Sequence, residues 1–142
     1  MTDIVINTPV AAIGGIALKA AGLIATTTAH TGVLLDNGPF AVQIDWTACE
    51  VATGDELYII AVEANTVAAP TVWTQIGIMY VLGGTAKVAS MGDATATGSA
   101  RAAFHNSKGY QVRLKTWVSG TVATGINYAA KAYPIKDLSV IG

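Results

Sequence analysis

The chain has 142 residues, of which 52% are hydrophobic and only 12% charged, and its net charge is −1. This length fits one domain, and a nearly neutral chain offers no basic surface for phosphate backbones or anionic lipid, so neither nucleic acid nor a membrane is expected as a partner. Cys49 is the single cysteine, which excludes an internal disulfide framework and a thiolate zinc site.

The low charge content also predicts assembly. Charged residues make up about half of the roughly 25% that is typical of soluble domains, so much of the surface must be neutral. Large exposed apolar patches usually mark protein contacts. We therefore expect the chain to associate with itself or with another protein.

Residues 1–30 do not show a strand pattern. Val10 and Ile13 could share one face of a helix, but several glycines weaken a helix here by roughly 1 kcal/mol each. The apolar run is short and is interrupted by Lys19, which disfavours a membrane span, and no basic residue precedes it as in a secretory signal. We interpret residues 1–30 as an extended N-terminal arm that a partner orders, in a protein made in a cytoplasm.

From residue 31 onward, runs with β-branched or aromatic residues alternate with clusters of turn residues, as is typical of an all-β domain. Eight strands are predicted, near residues 32–36, 40–47, 56–64, 72–82, 86–90, 99–104, 110–118 and 126–133. Residues 31–142 are therefore expected to form a single antiparallel eight-stranded β-sandwich of the jelly-roll or Greek-key type.

Alternation of side chains indicates which strands are half-buried. In the second predicted strand Phe40, Val42, Ile44 and Trp46 share one face, and more polar residues occupy the other. The third and fourth strands are apolar on both faces, whereas a sandwich strand normally has one wet face. We expect the second face of these strands, which carries Tyr58, Ile60 and Met79, to be covered by the N-terminal segment or by another subunit.

The residues that could support catalysis are few. Cys49 could act as a nucleophile with His30 or His105 as the base and Asp36 or Asp45 as the orienting group, but a small buried hydrophobe is the better interpretation. The chain contains neither a G-x-S-x-G elbow nor an H-E-x-x-H pair. We expect no enzyme, no cofactor and no metal site.

Other polar residues have simpler interpretations. Asp55 and Glu56 at a turn, together with Asp93 in a loop, could help to bind calcium, but a solvated turn is favoured. Arg101, Arg113 and Lys115 could form a basic stripe beside Trp117, but a salt-bridging rim around an apolar interface is favoured.

The tryptophans Trp73 and Trp117 are either core residues, a sugar-stacking platform or protein-interface anchors. Sugar sites usually need clustered amide and carboxylate neighbours, which this chain lacks. Protein contact is therefore the preferred function if these side chains are exposed.

Two segments carry a family resemblance. Residues 27–36 read TTAHTGVLLD, and residues 108–125 read KGYQVRLKTWVSGTVATG, in which an aromatic-led strand ends in a V-S-G-T turn ahead of an Ala-rich last strand. This order resembles the jelly-roll capsid cement, or decoration, proteins of tailed bacteriophages, over about two thirds of the chain.

The resemblance implies a virion protein on the outer surface of a capsid with an HK97-type shell. Such a protein bridges neighbouring major capsid subunits and self-associates as a dimer or trimer, without catalytic residues or cofactors. The alternative is a carbohydrate- or protein-binding β-sandwich module of a phage head–tail or tail component. The candidate interface residues are Ile13, Leu18, Leu23, Tyr58, Ile60, Trp73, Met79, Arg113 and Trp117.

Overall fold

A computed structural model describes residues 15–83 and 97–135, which form a two-layered antiparallel β-sandwich without a helix. A membrane-spanning helix is accordingly not found among these residues. The strands are β1 (Ile16–Lys19), β2 (Leu23–Ile24), β3 (Thr28–Ala29), β4 (Val33–Leu34), β5 (Gly38–Cys49), β6 (Leu57–Ala64), β7 (Thr74–Gly83), β8 (Gly98–Asn106), β9 (Gln111–Ser119) and β10 (Ile126–Pro134).

The strands divide into two sheets. The first sheet has the order β1-β10-β5-β8, with β2 also paired to β10. The second sheet has the order β3-β9-β6-β7, with β4 also paired to β9. Every pairing is antiparallel. Because β9 and β10 are consecutive but belong to different sheets, the chain crosses between the layers at their connection.

The short strands β1 to β4 form the edge of both sheets on one side of the sandwich. β1 and β2 run along β10, and β3 and β4 then run along β9. Two further backbone hydrogen bonds continue the second pairing, from His30 to Leu114 and from Leu35 to Tyr110, each 2.9 Å long. The described part of the predicted N-terminal arm is thus extended and pairs with strands of the sandwich.

The observed strands can be compared with the eight that were predicted. Seven predicted strands overlap β4 to β10, while the one predicted at 86–90 lies outside the described residues. β1, β2 and β3 were not predicted as strands. The described residues therefore contain ten strands, several of them only two residues long, and the all-β antiparallel class is confirmed.

The core lies between the sheets. Phe40, Val42, Ile44 and Trp46 all face it, as the alternation in the second predicted strand requires. At the side of the sandwich closed by β7 and β8, close packing needs a glycine, because a side-chain carbon at Gly77 would lie 2.6 Å from the Phe104 ring.

The two strands with apolar residues on both faces are neighbours in the second sheet. In β6, Tyr58, Ile60 and Val62 point into the core, so Leu57, Ile59 and Ala61 point outward. In β7 the alternation is interrupted, because its pairing with β6 shifts register after Ile60 and again after Val62.

These irregularities in β7 bury one residue more than alternation allows. Tyr80 pairs with the inward-facing Ile60, and Ile78 pairs with the outward-facing Ala61. Met79 lies between them and is buried in the core, where Tyr80 is half-buried. A bulge of this kind places two residues of one strand opposite one residue of its neighbour.

Candidate functional site

The outer face of the first sheet is polar. Arg101 donates a hydrogen bond from Nε to Gln43 at 3.0 Å, Gln43 donates to Asp45 at 3.2 Å, and the Ser99 hydroxyl also donates to Asp45. The hydrogen bond from Ser99, followed by that from Gln43, lowers the pKa of Asp45. Exposed Lys131 pairs with Gln43 across the strands. These side chains form a polar patch along β5, β8 and β10 of this face.

The outer face of the second sheet is different, because its central rows are apolar. Directly opposed residues of neighbouring strands point to the same side of a sheet. Ile59 of β6 is flanked by Trp117 of β9 and Val81 of β7, and the next outward residue, Ala61, is flanked by Lys115 and Ile78. We call these six residues the Trp117 face: Ile59, Ala61, Ile78, Val81, Lys115 and Trp117.

Solvent reaches the Trp117 face mainly at Ile78 and Trp117, whereas Ala61 at its centre is fully buried by its neighbours. Ile78 is 49% exposed and Trp117 41% exposed, while Ile59 and Val81 are half-buried by their neighbours. Single exposed hydrophobic residues are common on proteins, but a contiguous apolar surface marks an interaction site. The Trp117 face is such a surface because its members occupy adjacent rows on three neighbouring strands.

Lys115 is the one charged member of the face. Its ammonium nitrogen lies 3.8 Å from the centroid of the Trp117 ring, a cation–π contact. Within residues 15–83 and 97–135, Lys115 forms no ion pair. The face therefore carries a positive charge that the described chain does not neutralise.

The chain itself covers the neighbouring end of the same sheet. Arg113 and Glu63 form an ion pair at 2.7 Å, with side chains 20% and 9% exposed. The Arg113 guanidinium lies 4.2 Å from the Trp73 ring centroid, and a side-chain carbon at Gly32 would lie 2.6 Å from that ring. Trp73 precedes β7 at one edge of the sheet, and Gly32 precedes β4 at the other, so this aromatic contact spans the sheet.

The nine candidate interface residues occupy different environments. Trp117 belongs to the Trp117 face, and Arg113 and Trp73 border it. Leu23 is exposed on β2 in the first sheet, and Ile13 lies outside the described residues. Four candidates pack in the core, where the sheets enclose them and leave no surface for a partner: Leu18, Tyr58, Ile60 and Met79.

Sequence reasoning did not select Ile59, Ile78 and Val81, although they are the aliphatic part of the Trp117 face. Apolar residues on both faces of a strand signal that one face needs a cover, but alternation cannot say which face is the inner one. Tyr58 and Met79, on the third and fourth predicted strands, were expected to be covered by the N-terminal segment or by another subunit. They lie inside the sandwich, so the opposing sheet of the same chain contributes to their cover.

The residues considered for catalysis serve other contacts. Cys49 is buried in the core. The Nε2 atom of His30 lies 2.8 Å from the Thr116 hydroxyl, which in turn lies 2.6 Å from the Tyr128 hydroxyl. Burial, followed by the charge of Lys19, lowers the pKa of His30 to about 4. The imidazole is therefore neutral at pH 7.

Lys19 secures the N-terminal edge beside this histidine. Its ammonium donates to the carbonyls of Ala20, Gly22 and Tyr128 at 2.8, 3.1 and 2.6 Å, and lies 4.5 Å from the Tyr128 ring centroid. Burial raises the pKa of Tyr128 to about 12. The open cleft between Lys19 and His30, of about 360 Å³, is bordered by groups already engaged in holding β1 to β4 against β9 and β10.

The acidic turn considered for calcium binding is also satisfied internally. Glu56 is buried and accepts hydrogen bonds from the amides of Thr53 and Gly54 at 3.0 and 2.8 Å. Asp55 accepts from the Thr53 hydroxyl at 2.6 Å and from the amide and hydroxyl of Thr121 at 3.0 Å each. These bonds, that of Thr53 first, lower the pKa of Asp55 to about 2. They join the β5–β6 turn to the β9–β10 turn. Asp93, the third carboxylate considered for calcium, lies outside the described residues.

Other potential ligands do not converge. In the part of the chain that the structure describes, no group of three or more histidine, cysteine, aspartate or glutamate side chains could hold a metal ion. In comparisons with known proteins, no protein-family model matches the chain, and no curated protein matches it. The Trp117 face is therefore interpreted from its own chemistry.

Proposed function

We propose that the chain is a structural virion protein that binds the outside of a tailed-phage capsid and cements neighbouring major capsid subunits of an HK97-type shell. It is made in the host cytoplasm and acts on the capsid surface, without catalysis or a cofactor. The Trp117 face is the observation that carries the proposal, because an open apolar surface with an exposed tryptophan opposite a polar face suits a protein that docks on one side.

The order of the strands supports a jelly-roll type of sandwich. If β1 with β2 and β3 with β4 each count as one edge strand, the chain has eight strand positions in sequence. The two sheets then have the orders 1-8-3-6 and 2-7-4-5. Such interleaving, in which early strands lie beside late ones in both sheets, is what two nested Greek keys produce.

A protein partner suits the Trp117 face better than a sugar does. The directly opposed neighbour of Trp117 is Ile59, followed by Val81, rather than the amides and carboxylates that bind sugar hydroxyls. Exposed tryptophans beside aliphatic side chains are typical anchors of protein interfaces. A protein-binding module of a head–tail or tail component would use the same face, so the identity of the partner distinguishes this alternative.

The physical basis of cementing is mass action. A protein that binds the assembled shell but not its separated subunits stabilises the shell by its binding free energy. Because a capsid offers many equivalent sites, contacts of moderate affinity accumulate. A standard interface buries about 1,600 Å² in total, which corresponds to one face of a small domain together with its rim.

The test compares shells that lack the protein with shells to which it has been restored. We expect the complete shells to survive greater heat, lower salt and higher pressure, and we expect restoration with a Trp117→Ala variant to give less protection. A Val67→Ala variant is the control, because Val67 is also an exposed apolar residue but lies in the loop between β6 and β7, outside the Trp117 face. Equal survival of bare and complete shells would overturn the proposal.

A further inference from the structure

The Trp117 face combines two requirements that a partner must meet together. Ile59, Val81 and Ile78 offer aliphatic surface, and Trp117 adds an aromatic ring at its border. Lys115 places an ammonium group against that ring. A partner that covers the aliphatic rows would therefore also take Lys115 out of water.

Burying Lys115 is unfavourable unless the partner supplies a negative charge. A buried ammonium group must be paired and hydrogen-bonded to offset the loss of its hydration. Among the described residues on this side of the sheet, Glu63 is the nearest carboxylate along the strands, and it is already bonded to Arg113 at 2.7 Å. Within residues 15–83 and 97–135 no other carboxylate on this side of the sheet is placed to pair with Lys115, so we expect the counter-charge from the partner.

This requirement argues against a second copy of the chain on the same face. A symmetric pair would bring the same six residues from both molecules into contact. Each copy would then bury Lys115 against a face whose described residues contain no uncommitted carboxylate. Contact between two Trp117 faces is therefore less favourable than contact with an apolar surface that carries an acidic group.

Resting on the proposed function, we propose that the Trp117 face is the surface that meets the shell, and that its partner is an apolar patch of the capsid with an aspartate or glutamate opposite Lys115. The polar outer face of the first sheet, with Arg101 and Lys131, then faces solvent. The dimer or trimer expected for the protein would use surfaces other than the Trp117 face.

The test is a binding titration with the full chain. Shells from the same phage that lack this protein are mixed with increasing amounts of the chain, and the bound fraction is measured by co-sedimentation. The variants are Lys115→Glu, Lys115→Met and Trp117→Ala, with thermal unfolding of each one measured first. Lys131→Glu is the matched control, because Lys131 is an exposed lysine on the outer face of the first sheet.

We expect Lys115→Glu to weaken binding at least ~10-fold by placing like charges together, and Trp117→Ala to weaken it at least ~10-fold by removing an anchor. Lys115→Met should bind more weakly than the wild type but more tightly than Lys115→Glu, since it leaves the acidic group without a partner. Lys131→Glu should stay within ~2-fold of the wild type.

The outcomes separate the two proposals. If the wild-type chain does not bind the shells, the proposed function is wrong. If it binds, and Lys115→Glu and Trp117→Ala bind equally well, the function stands and the inferred face is overturned. If Trp117→Ala loses binding but Lys115→Glu binds as well as the wild type, the inferred acidic group opposite Lys115 is overturned. If the free chain dimerises and Trp117→Ala abolishes the dimer, the Trp117 face binds a second copy of the chain instead.

Discussion

The half-buried imidazole of His30 makes a specific prediction about pH. Its pKa is about 4 in the folded protein, below the ordinary 6.5, because of burial and the nearby charge of Lys19. As the pH falls from 6.5 towards 4, the unfolded chain therefore takes up a proton on this residue before the folded protein does. Protonation then favours unfolding, so the stability contributed by the neutral ring is fully present above pH 6.5 and is lost towards pH 4.

The magnitude follows from the same values. Full conversion of the pKa difference would give about 3 kcal/mol, but solvent reaches part of the ring and screens its charge, so we expect about 1–2 kcal/mol. Urea unfolding of the wild type and of His30→Gln, measured between pH 7.5 and 4, provides the assay. Gln keeps a hydrogen-bonding group near Thr116 but does not titrate.

The difference between the two stability curves isolates His30 from the carboxylates. Asp55 has a lowered pKa of about 2, so the stability that its carboxylate contributes is lost only as the pH falls below the ordinary value of 3.8. This loss is the same in the wild type and in His30→Gln, and it therefore cancels when one stability curve is subtracted from the other. As the pH falls from 6.5 to 4, we expect the free energy of unfolding of the wild type to decrease relative to that of His30→Gln. A difference that stays constant over this interval would refute the assigned environment of His30.

Two further predictions concern the sandwich itself. Gly125→Ala should lower the free energy of unfolding by about 2 kcal/mol or more, because Gly125 has φ +88° and its new side chain would overlap the Ile24 carbonyl oxygen. The control is Gly22→Ala, since no atom lies within 4 Å of the carbon added at Gly22. In the same urea titration, this control should change the free energy of unfolding by less than about 0.5 kcal/mol. Tyr128→Phe should lower it by about 1 kcal/mol, since the tyrosine hydroxyl lies 2.6 Å from the Thr116 hydroxyl; an unchanged unfolding midpoint would contradict that bond.

The inner face of a strand could be predicted from the sequence where only one of its two faces is mainly apolar. Val112, Leu114 and Thr116 of β9 are buried, while Gln111 and Arg113 on the opposite face are half-buried. A period of two specifies such a strand completely, because only one choice of face hides the apolar residues. The all-β antiparallel class follows from several strands of this kind.

The N-terminal edge could not be predicted in the same way. β1 to β3 are two to four residues long, too short for alternation to show. Their strand conformation depends on pairing with β9 and β10, which are distant in sequence, and on anchors such as Lys19, whose three backbone acceptors include the carbonyl of Tyr128. Contacts of this kind leave no periodic trace in the local sequence.

The candidate site was predicted in part for the same reason. Trp117 was selected because its residue type is common at interfaces, and it is exposed. Tyr58 and Met79 were selected because their strands are apolar on both faces, and they are buried. Which face of β6 lies inside is decided by the opposing sheet, and the bulges in β7 depend on its pairing with β6, so neither is visible along the sequence.

A cryo-electron microscopy reconstruction of shells saturated with the protein tests the docking claim most directly. We expect the outer face of β6, β7 and β9 to meet the capsid, with Trp117 and Lys115 in the contact and with the outer face of the first sheet towards solvent. Density that places Arg101 and Lys131 against the shell and leaves Trp117 exposed would contradict it.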